Sequence, residues 1–108
     1  MLDSYSAHQP DRTEVNARSG PAVVEFGTNW CGHCLAAQPL LASIVADFPQ
    51  VHYTKVEDGS GRPLGRSFRV KLWPTLIFLQ DGQEVSRLVR PTRSSDIEEA
   101  FEQLTHEA

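Results

Sequence analysis

The feature that most constrains this chain is Trp30-Cys31-Gly32-His33-Cys34, which holds the only two cysteines among 108 residues. It lies between a short apolar run, Ala22-Val23-Val24-Glu25-Phe26-Gly27, and a long stretch of helical pattern, and so reads as the junction of a buried strand with a helix. A cysteine at such a junction meets the unpaired backbone N–H groups and the positive dipole end of the helix, which favour thiolate, the nucleophilic form. Cys34, one turn further on, is placed to attack a mixed disulfide formed at Cys31 and release whatever is attached there. Trp30 would shield one side of the pair, Gly32 would let another backbone come close, and His33 would set a titratable charge beside the sulfur. Two other readings stay open at this point. A zinc site needs four ligands, and neither a second C-x-x-C nor a closely spaced histidine pair is present, so no metal is expected. A purely structural disulfide across so short a loop would constrain the unfolded chain little. Redox chemistry is the favoured reading.

Length and composition bound the rest. A chain of this length is one domain, residues 1–108, with enough material for a single core. The net charge of −4 supplies no basic stripe for a nucleic-acid backbone, so nucleic acid is not an expected partner. No apolar stretch approaches a membrane span, and Met1 to Gly20 lacks the apolar centre of a signal peptide. No membrane association and a cytoplasmic location are therefore expected, although a processed periplasmic domain carrying an added Met would read the same.

Along the chain, Leu2 and Tyr5 suggest a short edge strand, and Pro10 to Arg18 a helix with proline near its start. Ala22 to Gly27 is read as a central strand. Glu25 is its anomaly: the apolar neighbours favour burial, which disfavours the charged form of a carboxyl group. Removing that charge, by Glu25→Gln or Glu25→Leu, is expected to stabilise the fold near neutral pH. Cys31 to Phe48 places Leu35, Leu40, Leu41, Ile44, Val45 and Phe48 on one helical face, with Pro39 inside and Pro49 ending it. Val51 to Val56 is a second strand and Pro63 to Phe68 a short helix burying Leu64 and Phe68. Leu72 to Leu79 and Glu84 to Val89 form a hairpin about Gln80-Asp81-Gly82-Gln83. Ser94 or Ser95 is expected to cap a last helix, Asp96 to His106, with Ile97, Phe101 and Leu104 inward. A βαβ unit followed by a hairpin and a helix implies an α/β fold, a central mixed sheet flanked by helices on both faces.

These residues resemble the thioredoxin-like family over nearly the whole length. The likeness rests on Glu25 in its strand, Trp30-Cys31-Gly32-His33-Cys34 at the head of a helix, Pro39 within that helix, Lys55 on the next strand, and Trp73-Pro74-Thr75. It implies the thioredoxin fold and a thiol–disulfide oxidoreductase, with Cys31 attacking and Cys34 resolving. It also implies a cis-proline at Pro74 facing the cysteines, and Glu25 with its neighbour Lys55 assisting proton movement at the resolving thiol. Expected partners are protein disulfides or dithiols and a reductase or glutathione. No cofactor is implied, and the chain is expected to be a monomer. Departures from the family pattern are instructive. His33 resembles the active site of protein disulfide isomerases rather than the Pro common in thioredoxins, and Glu25 stands where Asp is usual. Trp73 and Leu72 replace smaller residues. Val89-Arg90-Pro91 replaces Val-Gly-Ala, so that Arg90 joins Trp30, Trp73 and Pro74 on the surface expected to receive substrate. A competing reading is a thioredoxin-like interaction protein or chaperone that uses this surface for binding rather than turnover.

Overall fold

The structure, a computed structural model, describes residues 4–106. Four strands form one mixed sheet, β1 (Pro21–Gly27), β2 (His52–Glu57), β3 (Thr75–Gln80) and β4 (Gln83–Val89). Its spatial order is β2-β1-β3-β4. β1 runs parallel to β2 and antiparallel to β3, and β3 antiparallel to β4. Helices α1 (Arg12–Ala17) and α3 (Pro63–Ser67) accompany one apolar layer, α2 (Gly32–Ala46) and α4 (Ser94–His106) the other.

The two-residue period of a strand explains this division. Ala22, Val24 and Phe26 of β1 join Ile77 and Leu79 of β3 in the layer containing Val15, Leu64 and Phe68. Val23 joins Leu76 and Phe78 in the opposite layer, with Leu41 and Ile44 of α2 and Ile97, Phe101 and Leu104 of α4. By the same alternation Glu25 turns toward α2, next in line after Val23. With apolar layers above and below, β1 is buried from Ala22 to Gly27.

Several elements differ from the sequence-based expectation. The apolar stripe of α2 is Cys34, Ala37, Leu41 and Ile44, while Leu35 is 57% exposed. Cys34 and Ala37 take the buried positions of the first turns, and Leu35 projects outward. Ser94 and Ser95 lie within α4 and do not cap it. The carbonyl of Arg93 accepts from the N–H groups of Asp96 and Ile97, and its guanidinium pairs with Asp96 at 3.2 Å. β3 begins at Thr75 rather than Leu72, since Pro74 has no N–H for the ladder. The first helix is shorter than Pro10 to Arg18, with Asp11 at its N-cap and reciprocal bonds between Asp11 and Glu14.

Of the proposed edge strand, Leu2 lies outside the described residues, and Tyr5 and its neighbours make one parallel bridge, Ser6 with Val56. Ser6 donates to the Lys55 carbonyl at 3.0 Å and accepts from the Glu57 N–H at 2.9 Å. The backbone N–H of Tyr5 donates to Asn29 Oδ1 at 2.9 Å. These bonds lay Tyr5 against the strand-to-helix junction. Among the described residues, no helix is long and apolar enough to cross a membrane.

Candidate active site

The loop from Thr28 to Cys31 delivers the cysteine pair to the start of α2. Cys31 is the N-cap residue, and its sulfur accepts the Cys34 N–H at 3.3 Å while its carbonyl accepts from Leu35 at 3.0 Å. Both cysteines are free thiols. Cys31 keeps 8% of its surface and Cys34 none, so both are buried and the second completely. Burial is the main influence pushing the Cys34 thiol up, to about 11, followed by its hydrogen bond with Cys31.

That shift has a defined consequence for stability. The unfolded chain releases this proton near the ordinary value of 9.0, whereas the folded chain retains it to about 11. Between those values the unfolded state binds fewer protons, so stability falls as pH rises. Below that window its contribution is constant. Urea unfolding at rising pH is therefore expected to show a steeper decline for the reduced protein than for the Cys31–Cys34 disulfide form, which lacks the titrating thiol. Parallel slopes in the two forms would contradict it. Tyr5 and Tyr53, both raised above the ordinary tyrosine value by burial and by Glu25, act in the same direction in both forms.

Beneath the pair, Glu25 is fully buried and accepts three hydrogen bonds. The donors are the Tyr5 hydroxyl, the Tyr53 hydroxyl at 2.6 Å and Gln38 Nε2 at 3.2 Å. Gln38 also donates to the Cys34 carbonyl at 2.9 Å, and its own Oε1 accepts from Lys55 Nζ at 2.5 Å. Lys55 is paired with Glu25 across the β1–β2 ladder, and its ammonium lies 4.4 Å from the centre of the Tyr5 ring. Gln38 thus connects Lys55 to Glu25. Tyr5, Gln38 and Tyr53 were not singled out from sequence, yet two of them had a usable signal. Gln38 follows Cys34 by one helical turn, and Tyr53 shares its strand face with Lys55. Tyr5 reaches the site through a loop contact that no periodicity announces.

The outer face is built from loops. The Trp73–Pro74 peptide bond is cis, and Pro74 is buried. Trp73 donates its indole N–H to Asp58 Oδ2 at 2.9 Å and meets Trp30 edge to face, with ring centres 5.7 Å apart. Trp30 is 74% exposed. Arg90 adopts a φ of 50°, in the left-handed region where glycine is the unstrained choice. Its backbone N–H donates to the Pro74 carbonyl and its Nε to the Trp73 carbonyl, each at 2.8 Å, so the loop is stitched to the segment before β3. His33 and Arg90 line one small groove of about 160 Å³. The structure therefore links Glu25 to Lys55 and to the Cys34 carbonyl through Gln38, packs Trp73 against the two cysteines, and sets Trp30 against Trp73 and His33 beside Arg90. At Gly32 an added Cβ would meet nothing within 4 Å, which leaves this side open.

Comparison with known proteins follows this geometry. The thioredoxin family model matches residues 6–103. Thioredoxin from Chlamydia trachomatis is 40% identical over 72 residues, 66% of this chain and 70% of that protein. Thioredoxin H-type 1 from Nicotiana tabacum is 37% identical over 67 residues, and the match spans 62% of this chain but about half, 53%, of the tobacco protein. The structure of reduced thioredoxin 2 from Pseudomonas aeruginosa PAO1 superposes with a TM-score of 0.89 at 60% identity and covers 100% of both chains.

Proposed function

Because the chain belongs to the thioredoxin family, we propose that it works as a thiol–disulfide oxidoreductase on protein disulfides through Cys31 and Cys34. The observation that carries this reading is the inequality of the two cysteines, one at the helix N-cap with its sulfur accepting the Cys34 N–H and a trace of surface left, the other fully buried one turn on. The Cys31 thiolate attacks one sulfur of the substrate disulfide, and the other sulfur leaves as a thiolate. Cys34 then loses its proton and attacks Cys31 Sγ. The Cys31–substrate bond breaks, the second substrate thiolate leaves, and two electrons have passed to the substrate as the Cys31–Cys34 disulfide forms. A reductase or glutathione restores the dithiol. Run backwards, the same steps oxidise a substrate dithiol.

Glu25, with Lys55 held to it through Gln38, accepts and returns the resolving proton. His33 sets a second basic group beside the Cys31 sulfur and so biases the redox poise. Trp30, Trp73 and Pro74 present an apolar face to an extended substrate segment, and Arg90 favours acidic residues next to the scissile disulfide. Reduction of insulin by dithiothreitol provides the test. Cys31→Ser is expected to fall to the uncatalysed rate, and Cys34→Ser to accumulate a mixed disulfide with the substrate that a second thiol must release. Turnover by Cys31→Ser equal to the parent protein would leave only the binding reading.

A further inference from the structure

Glu25 and Cys34 flank the hydroxyl of Tyr5. That hydroxyl donates to Glu25 Oε2. A Cβ placed on Gly27 would lie 2.7 Å from the Tyr5 hydroxyl oxygen and 2.7 Å from Cys34 Sγ, so the phenol and the thiol converge on one point above a residue without a side chain. Tyr5, Cys31 and Cys34 form a buried cluster of their own, apart from the two larger layers, with Trp73 packed against it. Anchoring explains why the phenol stays there: its own N–H is bound to Asn29 and the next residue pairs with Val56.

From this arrangement we propose that Tyr5 carries the proton between Cys34 and Glu25 during resolution of the mixed disulfide. The assignment rests on the oxidoreductase reading above and adds the route of its proton. Cys34 passes its proton to the Tyr5 oxygen as the Tyr5 hydroxyl proton moves to Glu25 Oε2, and the phenol ends as it began, neutral. The Cys34 lone pair freed in this way forms the bond to Cys31 Sγ, and the Cys31–substrate bond breaks with its electron pair leaving on the substrate sulfur. In the reverse direction the carboxyl proton returns by the same path. The hydroxyl of Tyr53, bound to Oε1 of the same carboxylate, has no such position, since the described contacts of its ring are with Phe101 rather than the sulfurs. The ionisable groups facing this path are Glu25 from β1, Tyr53 and Lys55 from β2, and Cys31 and Cys34 at the head of α2.

The test separates attack from resolution. Reduced protein mixed with an aromatic nitrobenzoate disulfide releases one coloured thiolate when Cys31 attacks and a second when Cys34 resolves, and stopped-flow absorbance records both phases. Tyr5→Phe keeps the ring under Lys55 and deletes only the hydroxyl. It is expected to leave the first phase within about twofold and to slow the second about tenfold or more near neutral pH. Raising the pH should shrink the deficit, because hydroxide then removes the Cys34 proton directly. The double variant Tyr5→Phe with Glu25→Gln should be no slower in the second phase than the slower single variant, as expected of two members of one path. An unchanged second phase in Tyr5→Phe, a deficit that persists at every pH, or multiplicative slowing in the double variant overturns the assignment. Failure of the underlying reading has a different signature, a parent protein that shows no first phase.

Discussion

Replacement of Glu25 by leucine is expected to cost about 2 kcal/mol of stability, although it removes a buried charge. Each orphaned donor carries a penalty of about 1–3 kcal/mol, and the leucine variant would strand the Tyr5 and Tyr53 hydroxyls, while Gln38 Nε2 keeps its bond to the Cys34 carbonyl. The apolar gain from the new side chain, about 2 kcal/mol, does not offset both. Sequence alone pointed the other way, because a buried carboxylate without visible partners is better removed. The structure reverses that expectation for leucine by supplying the partners. Glu25→Gln retains a carbonyl acceptor for one tyrosine but turns an amide donor toward the other, so a loss of about 1 kcal/mol is expected. Urea unfolding of the reduced proteins near neutral pH measures both. A leucine variant as stable as the glutamine variant would show that the two hydroxyls find other partners instead. Both variants should resolve mixed disulfides about tenfold or more slowly, since the proton acceptor is gone.

Gly27→Ala is expected to damage the same centre from below. The new methyl would lie 2.6 Å from Tyr5 Cζ and 2.7 Å from both Cys34 Sγ and the Tyr5 hydroxyl oxygen, separations that real Cβ atoms do not tolerate. Neither neighbour has an easy way out: Cys34 is enclosed on α2 and Tyr5 is tied by its backbone to Asn29. Overpacking of this kind costs about 1–3 kcal/mol. Because the displaced atoms are the resolving sulfur and the phenol, resolution should slow more than attack. Gly32→Ala is the matching control. It is closer in sequence to both sulfurs than Gly27, yet its Cβ meets nothing, and alanine in the first turn of α2 is expected to be neutral or to stabilise by about 0.5 kcal/mol. Thermal unfolding and the two-phase thiolate release compare the pair. Equal behaviour of the alanines at 27 and 32 would refute the steric argument.

Much of the architecture was legible because it is local. The apolar run Ala22 to Gly27 located the buried strand, the cysteine pair fixed the start of α2, and the Asp81-Gly82 turn marked the hairpin. Errors arose where size and neighbourhood mattered more than hydropathy. Leu35 looked like a core residue, but Cys34 and Ala37 occupy the buried positions. Ser94 and Ser95 have the chemistry of caps, but the chain enters α4 one residue earlier. For the site, the cysteines and the acid could be read directly. The partners of the acid could not, because a strand pattern shows which face a carboxylate takes and not which distant side chains meet it there. Arg90 is intermediate: its replacement of a family glycine was visible, whereas its left-handed backbone and its two bonds to the segment before β3 were not.

The docking of Tyr5 also separates the origin of the chemistry from the origin of its control. Cys31 and Cys34 are neighbours in any conformation of the chain, whereas Tyr5 reaches Glu25 across 20 positions and Tyr53 reaches it across 28. Local contacts form early and cheaply, while remote ones wait for loops to close. An unfolded or half-synthesised chain is therefore already a dithiol able to close into a disulfide, with a resolving thiol of ordinary acidity. Only the completed fold withholds that thiol's proton and assigns it a path. In this protein the dithiol comes with the sequence, and folding decides which of its two sulfurs is held ready and which is held back.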